Sequence, residues 1–147
     1  MENRIEVRLA GADDAGEVVR LVKALAEDDG ETSPVSEAYV TEYLAFPGSN
    51  ILLAVEGVQV LGLLSFSIRP NLYHAGGSCL IEELIVDERA RSRGLGGLLV
   101  EAVKKRAEAA GCAEISVSTM PDNSGAIRFY HSHGFGDEAV YLEQHFH

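Results

Sequence analysis

The chain has 147 residues and a formal net charge of -11 at pH 7; 46 % of its residues are hydrophobic and 24 % are charged. These values predict one globular domain spanning residues 1–147, because the chain is long enough for one sizeable core but short for two, and too apolar to be disordered. The acidity argues against a nucleic-acid-binding protein, and no apolar run approaches the roughly 20 residues that cross a bilayer.

The first half of the chain predicts two helices between strands. In chain order we expect a strand over 5–10, a helix that starts at Asp13 or Asp14 and ends before Gly30, a helix over 35–46, and a hairpin of strands 50–56 and 58–70. The first helix rests on apolar residues such as Val18, Leu21, Val22 and Leu25, which recur at helical spacing. The hairpin turns at Glu56-Gly57.

The second half alternates strands and helices. We expect a loop over 69–78, a strand over 79–87, a helix that ends at Gly111, a strand over 113–119, a helix over 123–133 and a final strand over 139–146. The full order is β-α-α-β-β-β-α-β-α-β. It predicts an α/β fold with a mixed sheet and helices on its faces.

A glycine-rich stretch after the strand predicts an anion site. Residues 91–97 read Arg-Ser-Arg-Gly-Leu-Gly-Gly and open a helix. Such a turn exposes backbone N–H groups at the positive end of the helix dipole, and glycines let a phosphate approach the main chain. The arginines could add charge-assisted hydrogen bonds at its rim. A dinucleotide fingerprint is excluded because Leu99 stands where its last glycine would be, and a P-loop is excluded because the chain has no Gly-Lys pair.

A second motif makes the interpretation specific. In residues 121–135 the chain carries Asn123, Ala126, Phe129 and Tyr130 at the start, middle and end of the predicted helix. This pattern resembles the N-x-x-A-x-x-[FL]-Y motif of the GCN5-related N-acetyltransferase (GNAT) superfamily. The glycine-rich stretch resembles that family's [RQ]-x-x-G-x-[GA] motif, here Arg91, Gly94 and Gly96 after Leu84-Ile85-Val86. The two motifs and the order of elements extend the resemblance over most of the chain.

The resemblance implies a twisted, mostly antiparallel sheet with a splayed parallel pair, and acetyl-CoA as cosubstrate. The N–H groups of Arg91 through Gly96 would cradle the pyrophosphate, with Asn123 along the cofactor arm. Backbone amides of Leu84, Ile85 and Val86 would hydrogen-bond the acetyl carbonyl. In residue terms the implied cofactor-binding set is Leu84, Ile85, Val86, Arg91, Ser92, Arg93, Gly94, Leu95, Gly96, Asn123 and Tyr130. Arg89 and Arg93 could reach the 3′-phosphate or be solvated.

Acetyl transfer to an amine needs a proton acceptor and a proton donor. An alkyl amine is protonated at pH 7 and must lose a proton before it attacks a thioester, and a carboxylate can accept it. Glu82 matches the family's strand glutamate, whereas Glu83 is expected on the opposite face as a surface charge unless a bulge intervenes. Tyr130 matches the family's acid, which protonates the leaving thiolate. His74, in the loop before the strand, or a water is the alternative base.

The acceptor amine is expected to be small and cationic. The resemblance implies an acceptor site between the first two helices and the end of the last strands. The chain carries Glu27, Asp28, Asp29 and Glu31 in the first region and Asp137, Glu138 and Glu143 in the second. Tyr73 and His74 could also touch the acceptor. A solvated acidic turn is the alternative, and residues 71–87 are laid out much as in aminoalkylphosphonate acetyltransferases, whose substrates are zwitterionic. Acetylation of a protein amine, or a non-catalytic acyl-CoA-binding sensor or subunit, is the alternative function.

The remaining features set expectations about location and partners. The start of the chain shows no signal peptide, and Cys79 and Cys112 are expected as buried free thiols, so a cytoplasmic enzyme is expected. His131, His133, His145 and His147 are expected as surface residues rather than metal ligands. We expect no nucleic-acid or membrane partner. A homodimer is compatible with the family resemblance.

Overall fold

The computed structural model describes residues 4–146. Its helices and strands are β1 (Ile5–Leu9), α1 (Ala15–Asp28), α2 (Glu37–Ala45), β2 (Ser49–Glu56), β3 (Gln59–Asn71), β4 (Gly76–Val86), α3 (Leu95–Ala109), β5 (Cys112–Val117) and α4 (Ser124–Ser132). Short 3₁₀ turns at Ala12–Asp14 and Glu88–Ala90 precede α1 and α3.

The strands form one mixed sheet in the order β1-β2-β3-β4-β5. Neighbouring strands are antiparallel except β4 and β5, which are parallel. Pairing of β4 with β5 ends at Ile81 opposite Val117, although β4 continues to Val86. The last five residues of β4 therefore lie beyond the end of the β4–β5 ladder, which confirms the expected splayed parallel pair.

Helices cover both faces of the sheet because the strand residues alternate. In β2, Ile51 and Leu53 pack with α1 and α2, whereas Leu52 and Ala54 pack with α3. Each helix contributes an apolar stripe, such as Val18 and Leu21 from α1 or Leu99, Val100 and Val103 from α3. The fold class predicted from the sequence is confirmed.

Two sequence predictions about individual elements are wrong. The expected strand over 139–146 does not form: these residues carry no regular structure, and Val140, Tyr141, Leu142 and Phe146 are exposed. The alternation of apolar and polar residues is a local feature of the sequence, whereas a strand also needs a neighbouring strand with which to form hydrogen bonds. The expected loop over 69–78 shrinks to a turn at residues 72–75, because β3 and β4 continue their ladder out to Asn71 opposite Gly76.

Candidate active site

The loop before α3 has an unusual backbone. Ser92 and Gly94 both have positive φ, of 69° and 76°. Gly94 is the N-cap of α3, and no side chain caps that helix end. The first N–H groups of an α-helix have no partner within the helix, so those of α3 are available to a ligand. Free backbone N–H groups at the start of a helix, in a turn with positive φ, are typical of anion sites.

The arginines of this loop each pair with a carboxylate. Arg89 lies 3.0 Å from Asp87, Arg91 lies 3.1 Å from Asp28, and Arg93 lies 2.7 Å from Glu56. These partners compensate the positive charge that the sequence concentrates here. An anion at this loop would therefore meet backbone N–H groups first, and an arginine contact with a phosphate would have to compete with these ion pairs.

Asp87 fixes the loop to the body of the protein, a role that the sequence reasoning missed. Its carboxylate is only 6 % exposed and accepts hydrogen bonds from the Arg89 backbone N–H at 2.9 Å and from Arg20 Nη1 of α1 at 2.7 Å. Arg89 first, and then Arg20, hold the pKa of Asp87 well below its ordinary value. The available signal was a carboxylate that ends an apolar strand directly before a glycine-rich turn.

The loop, β4 and α4 converge at Gly96. A Cβ atom at this position would lie 3.5 Å from Phe129 Cζ and 3.8 Å from Leu84 Cδ2. Tyr130 packs in the same core, with ring centroids 5.1 Å from Phe129 and 5.5 Å from Phe135. Burial raises the pKa of the Tyr130 phenol, which keeps its proton in place at neutral pH.

Asn123 has a structural task at the start of α4. Its Oδ1 accepts a hydrogen bond from the Ala126 N–H at 3.1 Å and so caps the helix. The motif that carries Asn123, Phe129 and Tyr130 therefore forms one compact helix beside the end of β4.

A bulge changes the expected geometry of the two strand glutamates. Ser65 lies opposite Glu83, and Phe66 lies opposite Ile81, so Glu82 is the extra residue of β4. Both carboxyl groups consequently lie near the phenol of Tyr43 from α2, on the same face of the sheet. The expectation that Glu82 and Glu83 point to opposite faces is wrong for this reason.

These glutamates have different surroundings. The Ser65 hydroxyl donates to the Glu83 carboxylate and accepts from the Glu83 N–H at 2.9 Å. Partial burial first, and then the charge of Glu83, raise the pKa of Glu82, while Tyr43 and Arg69 act in the opposite direction. The buried Tyr43 hydroxyl has no hydrogen-bond partner among residues 4–146. Burial and the two carboxylates raise the pKa of Tyr43.

The other candidate acceptor residues lie away from this cluster. Tyr73 and His74 occupy the turn before β4, with His74 Nε2 3.5 Å from Glu114. Glu82 lies six positions after Gly76, which is roughly 20 Å along β4. His74 is therefore not close to Glu82 or Glu83. The ion pair of Asp28 with Arg91 places the acidic end of α1, with Glu27 and Asp29, beside the glycine-rich loop.

Residues 4–146 contain no group of three or more His, Cys, Asp or Glu side chains arranged to hold a metal ion. None of the helices in this part of the chain is long and apolar enough to cross a membrane.

Comparison with known proteins agrees with this geometry. Residues 18–135 match the family described as the acetyltransferase (GNAT) family. The aminoalkylphosphonate N-acetyltransferase of Salmonella typhimurium is 26 % identical over 130 residues, which cover 88 % of this chain and 84 % of that protein.

Solved structures share the fold. A protein from Bacillus halodurans described as a transcriptional regulator is 27 % identical, with a TM-score of 0.85 over 97 % of this chain and 100 % of the other. An aminoglycoside acetyltransferase from an uncultured soil sample, in complex with sisomicin, has a TM-score of 0.83 at 18 % identity, over 97 % and 95 % of the two chains. The match to the family over most of the chain, with both motifs at one end of the split sheet, shows that this protein belongs to the GNAT family of acetyltransferases.

Proposed function

We propose that this protein transfers the acetyl group of acetyl-CoA to a primary amine of a small, cationic molecule, with both substrates bound at once. The observation that carries the proposal is that the uncapped N-terminus of α3 lies at the open end of β4, where Gly96 is close to both Leu84 and Phe129. Tyr130 follows Phe129 on α4, and Glu82 stands two residues before Leu84 on β4.

The residues around the loop fit the cosubstrate. The N–H groups of Arg91 through Gly96 would hold its pyrophosphate, and the short side chain of Ser92 and the absent side chains of Gly94 and Gly96 leave room for it. The main chain of Leu84, Ile85 and Val86, beyond the end of the β4–β5 ladder, would bind the acetyl carbonyl. The Asn123 amide group that is not used in capping could contact the pantetheine arm.

Glu82 and Tyr130 would move the protons. Acetyl-CoA supplies the activated acyl group: a C–N bond forms to the amine, and the C–S bond breaks. Glu82 accepts a proton from the ammonium group, and its raised pKa makes it a stronger base than an ordinary carboxylate. Tyr130 donates a proton to the sulfur. The nitrogen loses its second proton to solvent as the tetrahedral intermediate collapses, solvent reprotonates Tyr130, and Glu82 releases the proton it accepted, so one proton is released overall.

The charge of the site supports a cationic acceptor. Glu82 and Glu83 lie together on the α1/α2 face, and each lacks an ion-pair partner among the described residues. Two neighbouring carboxylates attract ammonium groups. The acetyltransferase of Salmonella typhimurium, named for an aminoalkylphosphonate, supports a small amine-bearing acceptor.

A thiol-release assay with acetyl-CoA over a panel of amines tests the proposal, with calorimetric titration of acetyl-CoA alone beside it. We expect binding in the titration and turnover with di- and polyamines. Binding without turnover for any amine, including aminoalkylphosphonates and peptide lysines, would favour the alternative of an acyl-CoA sensor. Absence of binding would contradict both.

A further inference from the structure

The bulge in β4 gives Glu82 neighbours that a regular strand would not. In a regular strand, Glu83 would face the opposite side of the sheet, toward α3. Because the register slips at Glu82, Glu83 instead stands on the same side, next to Ser65 and Tyr43. This arrangement brings Glu83, with its hydrogen-bonded Ser65, and Tyr43 of α2 to the side of the sheet on which the Glu82 carboxyl lies.

Glu83 is anchored to β3 through Ser65. Its carboxylate accepts a hydrogen bond from the Ser65 hydroxyl, and its N–H donates to the same oxygen. Ser65 is only 3 % exposed and lies in the middle of β3, so the anchor belongs to the buried part of the sheet. These contacts keep the Glu83 carboxylate on the side of the sheet that carries Glu82.

Tyr43 lies on α2, which packs over the same face of the sheet as Glu82 and Glu83. Its hydroxyl is buried and has no hydrogen-bond partner among the described residues, which is uncommon for a buried polar group. Ser65 and Glu82 are close enough to this hydroxyl to affect its pKa. The phenol proton is therefore free to be donated to the Glu82 carboxylate when that group is ionised.

We propose that Glu83 and Tyr43 are positioning residues for the acetyl-transfer reaction: Glu83 holds a second negative charge beside Glu82, and Tyr43 hydrogen-bonds the ionised Glu82 carboxylate and orients it. The proposal rests on the proposed function, since it concerns the proton acceptor named there. A glutamate that is less acidic than usual, yet still oriented in its ionised form, accepts a proton from an ammonium group more readily.

The charged and titratable groups that face Glu82 come from three elements. Glu83 belongs to β4 itself, Tyr43 to α2 and Arg69 to β3. Glu83 disfavours ionisation of Glu82, whereas the Tyr43 hydroxyl and Arg69 favour it. Removing Glu83 and removing the Tyr43 hydroxyl should therefore change the ionisation of Glu82 in opposite directions.

The experiment is the pH profile of kcat/KM for the amine in wild type, Glu83→Gln, Tyr43→Phe and Glu82→Gln. In Glu83→Gln the acidic limb should move to lower pH by about half a unit to one unit, because a like charge is lost. In Tyr43→Phe the limb should move to higher pH, because the ionised form loses a hydrogen bond. Glu42→Gln, which removes an exposed charge next to Tyr43 on the same helix, is the control and should leave the profile unchanged.

Failure of this proposal can be told from failure of the proposed function. If Glu82→Gln keeps the wild-type acidic limb, Glu82 is not the proton acceptor. If the limb disappears in Glu82→Gln but stays fixed in Glu83→Gln and Tyr43→Phe, the positioning roles are wrong and the acceptor assignment stands. A carboxyl ¹³C NMR titration of Glu82 in the same variants gives the shift without turnover, and equal titration in all of them would also overturn the positioning roles.

Discussion

The phenol of Tyr130 lies at the end of α4, packed between Phe129 and Phe135. A tyrosine phenol keeps its proton at neutral pH, and burial raises the pKa of Tyr130 further, so the group is protonated and available as a donor. Tyr130→Phe removes the donor and keeps the packing. We expect kcat to fall by about ten- to a thousandfold while the dissociation constant of acetyl-CoA stays within about twofold.

Steady-state kinetics and calorimetric titration measure these two quantities. Tyr39→Phe, at an exposed tyrosine of α2, serves as the control and should keep full activity. Unchanged kcat in Tyr130→Phe would show that a water protonates the leaving thiolate.

The ion pairs of Asp87 should make the free energy of unfolding depend on pH. Its pKa is lowered in the folded protein, so its stabilising contribution is complete above the unfolded-state pKa of about 3.9 and is lost as the pH falls below it. Asp87→Asn should lower the free energy of unfolding by about 1–3 kcal/mol at pH 7. The difference from wild type should shrink below about pH 4.

Urea unfolding of both proteins between neutral and acidic pH measures this difference. Asp13→Asn removes an exposed carboxylate near the start of α1 and controls for the change in net charge. An Asp87→Asn deficit that stays constant into the acidic range would contradict the ion-pair explanation.

At the scale of elements, the loop before α3 can be tested with a matched pair of glycines. Gly94 and Gly57 both have positive φ, and a Cβ atom at either position would meet no atom within 4 Å. Alanine at either position should cost about 1 kcal/mol of stability, because the left-handed backbone is strained. Only Gly94→Ala should weaken acetyl-CoA binding, by about tenfold or more, because its Cβ stands where the pyrophosphate approaches the main chain.

Thermal unfolding and calorimetric titration compare the two variants. Equal acetyl-CoA affinity in Gly94→Ala and Gly57→Ala would place the pyrophosphate elsewhere.

Elements with a local signal could be predicted from the sequence, and features set by distant partners could not. The helix α3 and its loop follow from spacing and glycines within about twenty residues. The bulge at Glu82 depends on the register with β3, and the ion pair of Arg91 with Asp28 joins residues 63 positions apart. In residues 139–146 the local signal alone was misleading: apolar and polar residues alternate as in a strand, but no strand forms there.

At the scale of the whole molecule, the net charge of -11 bears on the choice of acceptor. Amines with several positive charges should show the highest kcat/KM, and raising the ionic strength from about 0.05 to about 0.5 M should raise KM for them more than for a neutral-tailed amine.

This charge effect can be tested without changing the ion pair that Asp28 forms with the loop before α3. Replacing Glu27, Asp29 and Glu31 with their amides, while leaving Asp28 on Arg91, should raise KM for polyamines. The same KM for these amines in wild type and the triple variant at every ionic strength would show that the acidic end of α1 is a solvated surface.

We propose above that acetyl-CoA binds with its pyrophosphate on the loop before α3 and its thioester at the open end of β4. A crystal structure of the complex with coenzyme A would locate both groups. We expect pyrophosphate oxygens within about 3.2 Å of N–H groups between Arg91 and Gly96, and the thiol between Leu84 and Tyr130. Coenzyme A bound with its pyrophosphate away from this loop, or its thiol away from β4, would show that the proposed cofactor site is wrong.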